Sequence, residues 1–229
     1  VTVICSDKGW IKAAKGHLED VSDVKYKDGD RGKFSFHAET TDKLLLFATN
    51  GRFYTIPCDK LPGGRGFGEP VRLMVDLGNE DEIVGLFLFK RGEKLLVASS
   101  GGRGFIVKTE DVIAHTKNGK QALNVKGDDE AAAICPVLGD HVAIIGDNRK
   151  LLVFPLDDVP EMSRGRGVIL QRYKDGGLAD IKTFNKIEGL SWKSGDRTRT
   201  ETNLTAWYGK RAQAGRLPPK GFSKANRFS

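Results

Sequence analysis

The feature that most limits how this chain can fold is a recurring pair of apolar runs around a tight turn. Its clearest copy is residues 44–70, LLLFATNGRFYTIPCDKLPGGRGFGEP. Runs 44–49 and 52–57 are strand-like, and Asn50-Gly51 between them is the strongest short hairpin signal a sequence offers. An acidic-apolar step follows at Cys58-Asp59-Lys60-Leu61, then a loop, Gly63-Gly64-Arg65-Gly66. The succession returns at 94–99 and 104–108, with the step Glu110-Asp111-Val112-Ile113 and the loop Lys117-Asn118-Gly119-Lys120-Gln121. It returns again at 141–145 and 150–154, with Asp157-Asp158-Val159-Pro160 and Ser163-Arg164-Gly165-Arg166-Gly167.

An opening copy runs from Val1-Thr2-Val3-Ile4-Cys5 through Ser6-Asp7-Lys8-Gly9 to Trp10, with KFSFHA at 33–38 as a half-buried strand. A fifth, degenerate copy has an apolar run at 187–192, a polar interruption at 193–202 and a turn at Tyr208-Gly209. Further strands are expected at 71–77, 82–89, 131–137, 168–172 and 179–184, with a short apolar run at 124–126. Pro218-Pro219 breaks regular structure, and the tail from Gly221 is expected to fray.

Taking Gly9, Gly51, Gly102, Asn148 and Gly209 as equivalent turns, the period is roughly 40–50 residues with four strands per unit, the mark of a propeller-like array. One such unit cannot bury its sheet faces alone, so neighbours must stack. The expectation is a single all-β domain over 1–229, with blades at 1–39, 40–89, 90–138, 139–185 and 186–229. No stretch carries a helical period. Two packed sandwiches are the alternative, disfavoured by the single running repeat.

The loops after the acidic step recur at corresponding places, so a radial array puts them on one rim. Glycine lets a backbone approach a ligand closely, and arginine offers a planar fork that fits phosphate oxygens. Flexible, soluble turns are the plain alternative. Charge bears on the choice. The chain carries a formal +7, but residues 161–229 hold 15 Lys+Arg against 6 Asp+Glu, and residues 1–160 hold 22 against 24. A basic last third suits a polyanionic partner, and a solvated surface accounts for it equally well.

Other functions find no residues. His17, His37, His115 and His141 lack metal-ligand spacing, and no nucleophile-elbow serine or Walker loop occurs. Asp128-Asp129-Glu130 and Asp157-Asp158 read as solvated charges. The cysteines Cys5, Cys58 and Cys135 are odd in number and widely spaced, which suits reduced core residues of a cytosolic protein. No run reaches the ~18 apolar residues of a membrane helix. The strand-like start without Met suits a piece of a longer protein.

The repeated plan resembles the C-terminal domain of the A subunit of bacterial type IIA topoisomerases, over essentially the whole chain. Residues 61–70, LPGGRGFGEP, and the ending from Tyr208-Gly209-Lys210-Arg211 to Pro219-Lys220-Gly221-Phe222 resemble the topoisomerase IV branch. The gyrase branch carries a contiguous basic heptad, Q-R-R-G-G-R-G; here only partial remnants stand at 63–66 and 164–167. The resemblance implies a β-pinwheel of about five four-stranded blades that exchange strands, closed or open. It implies a non-catalytic domain that binds and bends the transported duplex, largely without reading sequence, and helps select substrates for decatenation and relaxation. Arg65, Lys117, Lys120, Arg164, Arg166, Arg172, Lys210 and Arg211 are the candidate phosphate contacts, with Lys12 and Lys15 beside them. ATP, Mg, the catalytic domains and the B subunit belong to the holoenzyme, in the bacterial cytoplasm at the nucleoid. The domain itself is expected to hold no cofactor or metal and to touch no membrane. A gyrase-type wrapping domain and a propeller that binds protein are the rival functions.

Overall fold

The computed structural model describes residues 1–229. The chain opens with strands β1 (Thr2–Ser6), β2 (Trp10–Ala14) and β3 (Gly32–His37). Then come β4 (Lys43–Ala48), β5 (Arg52–Pro57), β6 (Glu69–Pro70) and β7 (Ile83–Leu88). β8 (Lys94–Ser99), β9 (Arg103–Lys108), β10 (Lys120–Gln121) and β11 (Ala131–Pro136) follow. β12 (His141–Gly146), β13 (Leu151–Pro155), β14 (Val168–Ile169) and β15 (Leu178–Phe184) precede a last hairpin, β16 (Leu190–Ser194) and β17 (Arg197–Glu201). The only helical pieces are short 3-10 turns. Three of them, Cys58–Lys60, Thr109–Val112 and Leu156–Asp158, are the acidic-apolar steps.

The chain forms two compact units. One is Val1–Arg91 with Val112–Gln121, the other Gly92–Asp111 with Ala122–Ser229. In the first, the sheets are ordered β3-β1-β2-β6 and β10-β5-β4-β7. β4 is central and buried on both faces, which is why it reads as an unbroken apolar run. Val3, Ile11, Leu44, Leu46, Tyr54, Val71 and Leu86 meet in one core. The second unit holds a β11-β8-β9-β14 sheet, a β13-β12-β15 sheet and the β16–β17 hairpin. One of its cores gathers Leu96, Val142, Ile144, Phe154 and Ile181; another gathers Ile145, Val153, Trp192, Phe222 and Phe228.

The hairpin turns need a left-handed residue. Gly9, Gly51 and Gly102 supply it at φ 86, 79 and 87°. In the fourth copy the position falls to Arg149, at φ 62°. Asn50 Oδ1 accepts the N–H of Arg52 at 2.9 Å, and Asn148 Oδ1 accepts that of Lys150 at 3.0 Å. Asn148 therefore matches Asn50, and the equivalent of Gly51 is Arg149 rather than the expected Asn148.

Each loop ends in a two-residue strand that leaves its own copy and pairs with an earlier hairpin. β6 pairs with β2, β10 with β5, and β14 with β9. Several expected strands differ as a result. Residues 71–77 are no strand: Val71–Leu73 is a 3-10 turn whose carbonyl at Val71 accepts from both Met74 and Val75. The run 168–172 pairs only at Val168–Ile169, and 124–126 forms no strand.

The fifth copy is corrected more deeply. The polar stretch 193–202 is itself strand, with Leu190 paired to Glu201 and Ser194 to Arg197 around Gly195-Asp196. β17 is almost wholly exposed, so it has no apolar pattern to reveal it. The segment around Tyr208-Gly209 is not a hairpin turn. It lies along β13, with a parallel bridge at Val153–Tyr208 and an antiparallel one at Leu151–Arg216, completing the fourth sheet. The tail does not fray. Phe222 and Phe228 are buried, Trp192 Nε1 donates to Gly221 O at 3.2 Å, and Arg149 Nη1 donates to Ser223 O at 2.9 Å.

Candidate functional site

The recurring loops are aligned by one glycine each. Gly68, Gly119, Gly167 and Gly215 all lie at positive φ, between 72 and 84°. A Cβ on each would press into a backbone carbonyl of the neighbouring hairpin: Ile11, Phe53, Gly104 and Leu151 respectively. Those four carbonyls sit two residues beyond the turn positions Gly9, Gly51, Gly102 and Arg149. Only glycine meets both demands, because it has no Cβ and takes a left-handed φ without strain. The fourth copy of the loop is therefore 208–216, and it carries Arg216, which is not among the contacts expected from the sequence.

In the first unit, Lys12 Nζ donates to Gly66 O at 2.8 Å, and Ala13 N donates to Pro62 O at 2.9 Å. This brings Lys12 and Arg65 to one loop. Lys12 thus braces the loop from below. Arg65 is exposed, and a Cβ on Gly64 or Gly66 would meet no atom within 4 Å, so the loop backbone is open to approach. Lys15 is exposed on the turn after β2 and is not bonded to that loop. Lys117 and Lys120 are exposed on the second loop. Arg52 Nη1 donates to Asn118 O at 3.1 Å and Gln121 Nε2 to Asn50 O at 3.0 Å, so Arg52 joins that group.

In the second unit, Arg164 and Arg166 are exposed on the third loop. Arg164 Nε makes a long bond to Asn124 Oδ1 at 3.4 Å, and Arg103 Nη1 donates to Gly167 O at 3.3 Å. Arg172 is exposed, with its N–H on Gln213 O at 3.2 Å. Lys210 is exposed, while Arg211 is half-buried and its guanidinium donates to Ile169 O at 2.8 Å. Arg52 and Arg103 were missed because they stand inside strand patterns. The signal was present: both follow the turn glycine directly.

None of the ten predicted cations forms an ion pair with a carboxylate. The salt bridges lie elsewhere, as in Lys94–Glu161 at 2.9 Å and Lys108–Glu161 at 3.6 Å, which hold the Glu161 carboxyl below its ordinary value. No group of three or more His, Cys, Asp or Glu side chains gathers where a metal ion would be held. Asp129 instead braces a turn, its Oδ1 accepting from Ser100 Oγ and Gly101 N at 2.8 Å each. No helix is long and apolar enough to cross a membrane.

A family model described as the DNA gyrase C-terminal domain, beta-propeller, matches residues 42–90, 93–135 and 140–179, which are the second, third and fourth copies. The A subunit of DNA topoisomerase 4 from Rickettsia bellii is 49% identical over 229 residues, covering 100% of this chain and 31% of that protein. Its counterpart from Caulobacter vibrioides is also 49% identical, over 100% of this chain and 30% of its own length. The chain thus spans about a third of the curated relatives it matches. The solved E. coli ParC C-terminal domain superposes with a TM-score of 0.82 at 26% identity, covering 98% of this chain and 95% of that one. The fold is all-β, of the β-pinwheel class, and its likeness runs to topoisomerase IV A subunits, as the missing basic heptad implied. With three of its hairpin-and-loop copies matched one by one, the chain belongs to the DNA gyrase C-terminal domain family.

Proposed function

We propose that this domain binds duplex DNA through phosphate contacts from its glycine-braced loops. It would bend the transported duplex and help the topoisomerase IV holoenzyme, with its catalytic domains and its B subunit, select substrates for decatenation and relaxation in the bacterial cytoplasm. One observation carries the reading: exposed cations without carboxylate partners recur on loops pinned by the same glycine. Such cations are free to meet an outside anion, and the open Gly64 and Gly66 backbone allows close approach. The residues do not fit the magnesium-dependent ATP chemistry of the holoenzyme, since no acidic cluster gathers to hold a metal. That chemistry is assigned to the rest of the holoenzyme.

No helix stands ready for a major groove, so binding is electrostatic and largely blind to sequence. Each neutralised phosphate releases counterions, and affinity falls steeply with salt. The test is a salt titration of duplex binding with an Arg65→Ala, Arg164→Ala, Arg166→Ala variant. The slope of log K against log salt should become shallower by about 0.9 per lost contact. Unchanged affinity and slope would remove these loops from the interface.

A further inference from the structure

The second unit contains a cavity of about 540 Å³ on which four cations converge, Arg103, Lys150, Arg172 and Lys174, with no carboxylate in its wall. The rest of the wall is Gly101, Asn148, Ile169, Gln171, Tyr173 and Ala214. The chain's own repeats show that this wall is unusual. Backbone bonds Asp76 N to Lys117 O, Asn124 N to Gly165 O, and Arg172 N to Gln213 O set Asp76, Asn124 and Arg172 at one repeat position. The surrounding residues are Val75, Leu77 and Gly78 in the second copy and Leu123, Val125 and Lys126 in the third. In the fourth they are Gln171, Tyr173 and Lys174. At the first three of these positions apolar or short side chains give way to an amide, a cation and a phenol, while the last position is a cation in the preceding copy as well, Lys126.

Packing alone does not account for the exchange. Gln171 is fully buried; its Nε2 donates to Lys150 O and Ala214 O at 2.9 Å each, but Oε1 has no partner. Tyr173 OH is likewise buried without a partner. Unpaired buried oxygens cost stability that Val75 and Leu77, or Leu123 and Val125, would not. The fold also makes room for the ring of Tyr173: a Cβ at Gly102 would meet it at 2.7 Å and one at Gly146 at 2.8 Å. Burial and the charge of Asp147 push the phenol up, so it stays protonated.

The geometry points to a nucleotide site: a planar ring against Tyr173 and Ile169, and a phosphate chain among Arg103, Lys150, Arg172 and Lys174. The volume lies within the ~300–1,000 Å³ of small-molecule pockets and far exceeds one phosphate group. Binding would occur without hydrolysis, since no carboxylate stands there to hold a metal. The site shares Arg103 and Arg172 with the proposed duplex interface, while Lys150 and Lys174 belong to the cavity alone.

Calorimetric titration of the chain with ATP in metal-free buffer at physiological salt tests this. Saturable one-to-one binding is expected, with adenosine and tripolyphosphate each at least tenfold weaker. Lys174→Gln, a surface change that cannot unfold the chain, should weaken ATP binding about tenfold. Tyr173→Val, which installs the residue of the third copy, should weaken it as much if its thermal melt is unchanged; otherwise Lys174→Gln decides. Photocrosslinking with 8-azido-ATP should label peptides from 101–103, 147–150, 168–174 or 213–215. Absence of saturable binding at millimolar ATP overturns the inference. So does tripolyphosphate binding as tightly as ATP, which would mean that the cavity takes only the phosphate charge a duplex backbone supplies. Crosslinks outside those peptides would overturn it as well.

Discussion

Gly119→Ala isolates what the repeated glycine does. An Ala at a left-handed φ costs about 1–2 kcal/mol, offset by about 0.4–1 kcal/mol from a stiffer unfolded chain. Gly64→Ala measures that part alone: Gly64 has φ +78° and nothing within 4 Å of its Cβ position, so its net loss is about 0–1.6 kcal/mol. Gly119 has nearly the same φ, +72°, but its Cβ would stand 2.7 Å from Phe53 O and 2.8 Å from the Tyr54 ring. Phe53 and Tyr54 are buried in β5, so the loop must give way. Lifting it endangers Arg52 Nη1–Asn118 O, Gln121 Nε2–Asn50 O and Asp76 N–Lys117 O. Two or three bonds at about 1 kcal/mol each bring the total loss to roughly 3 kcal/mol. Urea melts of the two variants, compared at constant slope, measure the difference. Equal losses, within about 0.5 kcal/mol, would refute the carbonyl contact as the reason glycine stands there.

Phe228→Ala should destabilise the second unit by about 3 kcal/mol and shift Trp192 fluorescence to the red, because Phe228 is buried against Phe222 beside that indole; a silent substitution would restore a frayed tail. Burial raises the Asp180 carboxyl above its ordinary value, even though Phe228 N, Ile181 N, Arg227 and Lys182 oppose the shift. The native state therefore holds that proton more tightly than the unfolded chain does. This contribution falls as pH rises from the ordinary Asp value through the raised native one, and is flat above it. The urea midpoint of the wild type minus that of Asp180→Asn should decline with pH over that interval, and a rising difference would contradict the sign. Burial pushes the Cys5 and Cys135 thiols up to about 12, so neither should react with a disulfide reagent near neutral pH until the chain unfolds.

The hairpins were legible because their signals are local. Apolar runs, Asn50-Gly51 and the step at Cys58-Asp59-Lys60 all act within a few residues. Strand exchange was not legible as a register, because β6, β10 and β14 are two residues long and their partners lie far away in sequence. No periodicity survives in two residues. Their trace is instead the glycine just before each: Gly68, Gly119 and Gly167. The fifth copy failed for the opposite reason. Its apolar residues, Phe222 and Phe228, come after the hairpin they cover, so β17 looked like an insertion and Tyr208-Gly209 like a turn. The candidate loops were found by position, while Arg52, Arg103 and Arg216 needed the structure to join them.

Net charge was the poorer guide to those loops. Residues 161–229 carry the positive excess, yet several of their cations are committed to the fold. Lys182 Nζ donates to Ser191 O at 2.8 Å, and burial pulls its ammonium below the ordinary value. The Arg211 guanidinium is held by Ile169 O, and the charge of Arg227 stabilises the buried Asp180 carboxylate. Arg65, Lys117 and Lys120, in the slightly acidic remainder, stand exposed with no carboxylate partner. A phosphate responds to a charge that can reach it, not to the regional sum, and screening removes the rest beyond about 8–10 Å. Arg65→Glu should therefore depress duplex affinity as much as Arg166→Glu, although their regions carry opposite net charge. Lys182→Met should leave duplex affinity unchanged and alter the stability of the second unit. If Lys182→Met weakened binding more than Arg65→Glu did, regional charge would govern the interface and the glycine-braced loops would be scaffold only.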